Sequence, residues 1–243
     1  MYSQLPCGIE GDFLPNTKPG QDPLLLSFLI LRRVLGILGT TLPFILWFGG
    51  VLLFGEALQS SVSQYYHTMM RDVFVAILCA IGVFLITYKG YEKEADEWVS
   101  DNAASNIAGF AAILVALFPT TDAASATAKC LADSNLIGMV HLAAAVVFFG
   151  AIACISYFKF TRSVSDTLTA QKIARNRIYR ICGLTIVAAI VAIAVHSFWS
   201  DLCLALVDLR PVFFLEAIAV IAFGVAWLTK GEVIYGDPDN QAD

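Results

Sequence analysis

The chain has 243 residues, and its composition is typical of an integral membrane protein. Apolar residues make up 58% of it and charged residues only 14%, whereas a soluble domain usually carries about 25% charged residues. A compact soluble domain of this size needs more polar surface than that. A net charge of −5 also offers no basic surface for a nucleic acid. The composition therefore excludes a soluble enzyme fold and a nucleic-acid-binding protein.

Six apolar segments are candidates to cross a bilayer as helices. A membrane-spanning helix needs about 20 mostly apolar residues, and its backbone groups must be paired within the segment itself. The segments lack the alternation of membrane strands. We therefore predict an all-α bundle of six transmembrane helices, at residues 34–55, 73–88, 103–118, 136–158, 181–199 and 211–229. The second segment is short, and we expect its helix to extend backward through residues 61–70.

The distribution of Lys and Arg predicts the orientation, because basic residues favour cytoplasmic loops. With the N-terminus inside, twelve of the 15 Lys and Arg residues lie on the cytoplasmic side. We therefore predict a multi-pass protein of the cell membrane, of the bacterial inner-membrane type, with both termini in the cytoplasm. Its parts would be a cytoplasmic tail (1–33), a membrane domain (34–229) and a second cytoplasmic tail (230–243). The basic stretch 172–180 is either an ordinary positive-inside anchor or a short interfacial helix on anionic lipid.

Two of the six cysteines, Cys130 and Cys203, fall in predicted outer loops. In an oxidising compartment they would be able to form a disulfide, and the alternative is two free thiols. The sequence contains no Cys-x-x-Cys motif for a metal or a redox site.

All three histidines lie near the predicted outer ends of helices. Three neutral imidazoles from separate helices can hold one Zn²⁺ with an open fourth position, where the pKa of a bound water falls to about 7. This predicts a metal site formed by His67, His141 and His196, with zinc as the cofactor. The alternatives are a metal-free polar cavity for transport, proton transfer or ligand binding, and structural hydrogen bonding at the interface.

Three further residues are candidates for catalysis at the same end. Glu216 stands within an apolar segment, where a carboxylate is costly and usually faces a partner or a wet cavity. Glu216 or Asp72 would then act as the general base. Ser63 lies four residues before His67, so the two would share a face if this segment were helical.

The run SVSQYYHTMMRDVFVAILCAIGVFLITYKGY, followed by NIAGFAAILVALFPTT, resembles bacterial six-helix membrane proteins of a loosely Frag/DRAM-like group. The Ser63 and His67 pair also resembles the first motif of the ceramidase-like hydrolases of the CREST superfamily. That second resemblance implies zinc-dependent hydrolysis at the membrane surface. The chain departs from that pattern, because Leu78 stands where an Asp is expected and the paired histidines of the last helix are missing. His141 and His196 would have to replace them.

Among active functions we favour a metal-dependent hydrolase that acts on a lipid or an amide at the outer leaflet, with membrane lipid as its partner. A transporter, a proton relay or a pH-responsive protein would use the same residues for protonation. A third hypothesis is a structural partner in a larger membrane complex, in which the histidines have no catalytic role. The sequence does not indicate an oligomeric state.

Overall fold

The protein is described from a computed structural model that covers residues 23–90, 93, 97, 99–122, 135–163 and 169–235. Over these residues every regular element is a helix and none is a strand, which confirms the all-α prediction for the described part. The helices are α1 (Pro23–Phe54), α2 (Arg71–Thr87), α3 (Asp101–Leu117), α4 (Leu136–Cys154), α5 (Ala170–Phe198), α6 (Ser200–Leu206) and α7 (Pro211–Lys230). A 3₁₀ turn at Ser63–His67 precedes α2, a π turn at Ile155–Lys159 prolongs α4, and a 3₁₀ turn at Val207–Leu209 precedes α7.

Among the described residues, four segments are long and apolar enough to cross a membrane: Ser27–Phe54, Leu136–Lys159, Ala170–Phe198 and Pro211–Lys230. They correspond to the first, fourth, fifth and sixth predicted spans. Helices α2 and α3 have 17 residues each, which is less than the length that a full crossing usually requires. The number of six spans therefore stays a prediction.

Polar side chains determine where several helices begin. Ser100, Asn135 and Thr169 precede α3, α4 and α5, and each accepts a hydrogen bond from an amide in the first turn, over 3.1, 2.7 and 3.1 Å respectively. This N-capping pairs a backbone donor that the helix leaves unsatisfied. Pro211 opens α7, where its missing N–H costs nothing.

The prediction that α2 extends back through residues 61–70 is wrong, because α2 begins at Arg71. Thr68 has an extended backbone, with φ −118° and ψ 178°, so the 3₁₀ turn is separate from the helix. The polar groups of this turn bond to other parts of the chain, which outweighs the weak helix preference of the segment.

At the other end of the bundle, the basic stretch 172–180 forms the first turns of α5.

The six longer helices form a closed ring. In chain order each packs against the next, and α7 packs against both α5 and α1. Small residues allow the closest approaches: Gly82 faces Gly109 between α2 and α3, and Gly36 faces Gly224 between α1 and α7. Three alanines spaced four residues apart on one face of α3 are fully buried: Ala108, Ala112 and Ala116.

The two ends of this ring have different chemistry. We call the end that carries Arg32 and the described residues 88–90, 93, 97, 99–101, 159–163, 169–175 and 230–235 the basic end. There Lys159 Nζ lies 2.7 Å from Glu97 Oε1 and 3.8 Å from Asp101 Oδ1. The Trp227 ring packs edge-on against Tyr88 and Phe160, with ring centroids 5.0 and 5.1 Å apart. The opposite end, which carries the three histidines, is the histidine end.

Candidate functional site: a pocket at the histidine end

A cavity of about 390 Å³ lies at the histidine end, between the segment before α2, the end of α3 and helices α4, α5 and α7. This volume is within the usual range for small-molecule sites. Its polar lining includes Ser61, Gln64, His141, His196, Arg210 and Glu216. Its apolar lining includes Leu142, Ala145, Val146, Ile190, Ile193 and Ala194. The cavity is therefore amphipathic, with polar groups from several elements and an apolar wall from α4 and α5.

His141 is held by two hydrogen bonds that define its tautomer. Its Nδ1 lies 2.6 Å from the carbonyl oxygen of Phe118, and its Nε2 lies 3.0 Å from Ser63 Oγ. Because a carbonyl oxygen only accepts, Nδ1–H is the donor there, and Nε2 of the neutral ring accepts from the Ser63 hydroxyl. This is the geometry of a nucleophile beside an oriented general base. His141 lines the cavity, whereas Ser63 is buried next to it and does not line it.

Glu216 joins α7 to the 3₁₀ turn. Its Oε2 accepts a hydrogen bond from the Val62 amide over 2.6 Å and a longer one from the Ser63 amide over 3.4 Å. Nearby, the amide of Phe213 donates to the carbonyl oxygen of Ser60 over 3.0 Å. The carboxylate therefore satisfies donors at the start of the turn, which is a physical reason for an acid in an otherwise apolar helix.

The 3₁₀ turn is also tied to the residues that follow α3. His67 is exposed, and its Nε2 lies 2.8 Å from the carbonyl oxygen of Thr120. Gln64 Nε2 donates to Thr120 Oγ1 over 3.0 Å and to the Thr121 carbonyl over 2.7 Å. Gln64 lines the cavity and His67 does not. His67 therefore connects two loops at the rim of the site.

His196 is a buried residue in the wall of the cavity. Its side chain is only 6% exposed, it lines the cavity, and its Nδ1 has no hydrogen-bond partner among the described residues.

The three histidines that were predicted to bind zinc do not come together at one point in this structure. Among the described residues, no set of three or more His, Cys, Asp or Glu side chains is placed to hold a metal ion. His67 bonds to a backbone carbonyl outside the cavity, and both ring nitrogens of His141 are engaged. Of the three predicted ligands, His141 and His196 line one cavity, together with Glu216.

Asp72 is exposed in the first turn of α2 and does not line the cavity. Its neighbour Arg71 bonds to the hydroxyl of Tyr66 over 2.7 Å, and the guanidinium carbon lies 4.4 Å from the centre of that ring. This cation–π contact fixes Arg71 beside the turn, away from the cavity.

Cys203 lines the cavity and is disulfide-bonded, whereas the thiols of Cys79, Cys154 and Cys182 are free. Cys130 lies outside the described residues, so its pairing with Cys203 stays a prediction.

The sequence reasoning missed Gln64 and Arg210 as cavity residues. Gln64 lies between Ser63 and His67, inside the motif already singled out, but its type carries no specific chemical signal. Arg210 directly precedes Pro211 and has a left-handed backbone with φ 51°, which sequence alone did not indicate. Tyr65 lies beside Gln64 in the 3₁₀ turn. Its side chain is 1% exposed, and this burial raises the pKa of its phenol.

Comparisons with known proteins add no family: no protein-family model, no curated protein and no solved structure matches this chain.

Proposed function

We propose that this chain is a membrane protein whose cavity at the histidine end binds a small amphipathic molecule. Membrane location is supported by four long apolar helices whose most apolar windows are only 28%, 33%, 28% and 56% buried within the bundle. Large side chains such as Leu52, Phe110 and Phe198 are 78%, 60% and 86% exposed. So much exposed apolar surface favours a surrounding lipid phase. In the favoured orientation, the basic end faces the cytoplasm.

The observation that carries the binding function is the amphipathic lining of the cavity, which combines an apolar wall with His196, Gln64 and Arg210. Ligand sites typically combine apolar walls with a few placed polar groups, and this cavity has that composition. A ligand with one polar group would place it beside His196 and Arg210, and its apolar part would lie against Ile190 and Ile193 of α5.

Photo-crosslinking of purified protein tests this function. The probe is a lysophosphatidylcholine with a diazirine on its acyl chain, and we expect it to label residues that line the cavity. The variant Ala194→Trp places a large ring in the cavity and should reduce this labelling at least tenfold. Unchanged labelling of Ala194→Trp would contradict the proposed cavity.

The matched control is Val191→Trp, which adds the same side chain to α5 at a position that is 55% exposed and does not line the cavity. It should label like the wild type. Thermal unfolding of both variants in detergent confirms that the comparison is made between folded proteins.

Ester or amide hydrolysis is a second candidate function, and the bond between Ser63 and His141 favours it. Ser63 Oγ would attack the carbonyl carbon of the substrate while its proton passes to His141 Nε2. The imidazolium would then give that proton to the leaving group, and water would release the acyl group from Ser63. The substrate would have to pass His141 to reach Ser63, which makes binding without catalysis the better-supported function.

A fluorophosphonate probe tests the catalytic candidate, because such probes react with activated serines. We expect labelling of the wild type and its loss in Ser63→Ala. Ser60→Ala is the control, since Ser60 lines the cavity and its known contact uses the backbone carbonyl. A wild type that stays unlabelled, or equal labelling of Ser63→Ala, would remove hydrolysis from consideration and leave the binding function intact.

A further inference from the structure

The seam between α4 and α5 is closed near the basic end and open beside the cavity. A Cβ added to Gly183 of α5 would lie 3.0 Å from Tyr157 Cβ and 3.1 Å from the Ala153 carbonyl oxygen, so the helices touch there. At Gly150 of α4, one turn before Ala153, no described atom outside the helix lies within 4 Å of such a Cβ. The close contact at Gly183 therefore has no counterpart at Gly150, and we infer that the seam widens toward the histidine end.

The open part of this seam continues the cavity along α4. Leu142 and Val146 line the cavity, and Gly150 follows them on the same helical face at a spacing of four residues. The distance from Leu142 to Gly150 is about 12 Å along the helix axis, at 1.5 Å per residue. Although they line the cavity, Leu142 and Val146 are 49% and 51% exposed, so the cavity opens onto the side of the bundle that lipid would cover.

The polar end of the cavity carries a positive group. Arg210 lines it, and its backbone is fixed in the left-handed region directly before α7. His196 lines the same cavity. The acid in the lining, Glu216, has its Oε2 engaged with the amides of Val62 and Ser63. A guanidinium and an imidazole together favour an anionic group.

We propose that the cavity and the open α4–α5 seam together bind a single-chain lipid with an anionic headgroup. The headgroup lies against Arg210 and His196, and the acyl chain follows Leu142, Val146 and Gly150. The lipid reaches the site sideways, from the bilayer. This inference rests on the proposed binding function and adds to it the charge of the ligand, the path of its chain and its route.

Two photoactivatable probes with the same 16-carbon diazirine chain test the inference: palmitic acid, which is anionic, and hexadecanol, which is neutral. In the wild type the acid should label segments 142–150 and 186–194. Arg210→Gln should weaken labelling by the acid about tenfold, as expected for the loss of one hydrogen bond to a charged group. The same variant should leave labelling by hexadecanol nearly unchanged.

Filling the seam tests the path of the chain. Gly150→Trp places a large ring where the structure has open space, and it should reduce labelling by both probes at least fivefold. Val147→Trp is the control, because Val147 is 46% exposed on the same helix and does not line the cavity. Unfolding midpoints of both variants should match that of the wild type.

Three outcomes separate this inference from the function on which it rests. If Ala194→Trp abolishes labelling by lysophosphatidylcholine while Gly150→Trp and Arg210→Gln label normally, the cavity binds amphiphiles and the anionic, lateral site is wrong. If Ala194→Trp has no effect either, both proposals fail. Loss of acid labelling in Arg210→Gln, together with loss of both labels in Gly150→Trp, supports the inference.

Discussion

The two ends of the bundle hold their polar groups in different ways. At the basic end, ion pairs between Lys159 and the acids Glu97 and Asp101 lie beside closely packed aromatic rings. At the histidine end, His141 and Glu216 bond mainly to a serine and to backbone groups. One end is thus closed by charge pairing and ring packing. The other uses short polar bonds around an open cavity.

The largest effect on this contrast should come from Asp101→Ala at the basic end. Asp101 is 2% exposed and lies 3.8 and 3.7 Å from Lys159 and Arg162. Removing one partner of a buried charge cluster leaves the other charges less compensated and should cost about 3 kcal/mol of unfolding free energy. Thermal and denaturant unfolding in detergent measure it. Asp208→Ala, at an exposed position, should change nothing measurable, and equal behaviour of the two variants would contradict the role given to Asp101.

The matching change at the histidine end is Glu216→Ala. We expect it to lower the free energy of unfolding by about 2 kcal/mol. The reason is the loss of a charge-assisted bond to the Val62 amide, whose donor would then lack a partner. Glu216→Gln keeps an acceptor without the charge and should lose about half as much stability. Unfolding of the two variants under one set of conditions provides the comparison. If Glu216→Ala is as stable as the wild type, the carboxylate does not anchor the turn.

Closed and open seams between helices should respond differently to one added methyl group. In Gly224→Ala the new Cβ would lie 2.5 Å from the Thr40 amide nitrogen and 2.7 Å from the Gly36 carbonyl oxygen. Such overpacking typically lowers the free energy of unfolding by about 1–3 kcal/mol. Gly150→Ala meets open space and should be neutral or slightly stabilising, because alanine favours the helix. Similar shifts of the unfolding midpoint in both variants would show that the α4–α5 seam is as tight as the α1–α7 seam.

The smallest predicted effect belongs to Arg71→Ala at the rim of the histidine end. The variant removes an exposed cation–π contact with Tyr66, which should contribute about 0.5–1 kcal/mol. The double variant with Tyr66→Leu should lose no more than the larger of the two single losses, and a double-mutant cycle measures this. Fully additive losses would show that the two side chains stabilise the protein independently.

The sequence was sufficient for the long apolar helices and insufficient for the site. Long apolar runs predicted α1, α4, α5 and α7, because burial in lipid or in a bundle requires such runs. Residues 61–70 contain no Pro or Gly and looked like an extension of α2. Contacts with Glu216 and Thr120 override that weak local preference.

Which polar residues share the cavity depended on the rotation of each helix and on loop contacts. The sequence placed His67 and His141 near one end, but only the structure shows that His141 lines the cavity while His67 bonds to Thr120 outside it. Gln64, and not His67, is the residue of this turn that lines the cavity. No spacing rule connects residues so far apart in the chain, so their grouping could not be derived in advance.

The bonds from Gln64 and His67 to Thr120 and Thr121 have a mechanical consequence. They make the segment before α2 and the residues after α3 a single lid over one side of the cavity. Neither loop can lift alone without breaking several hydrogen bonds at once. Local opening should therefore be cooperative, and the amides of residues 62–64 should exchange with deuterium at one common rate.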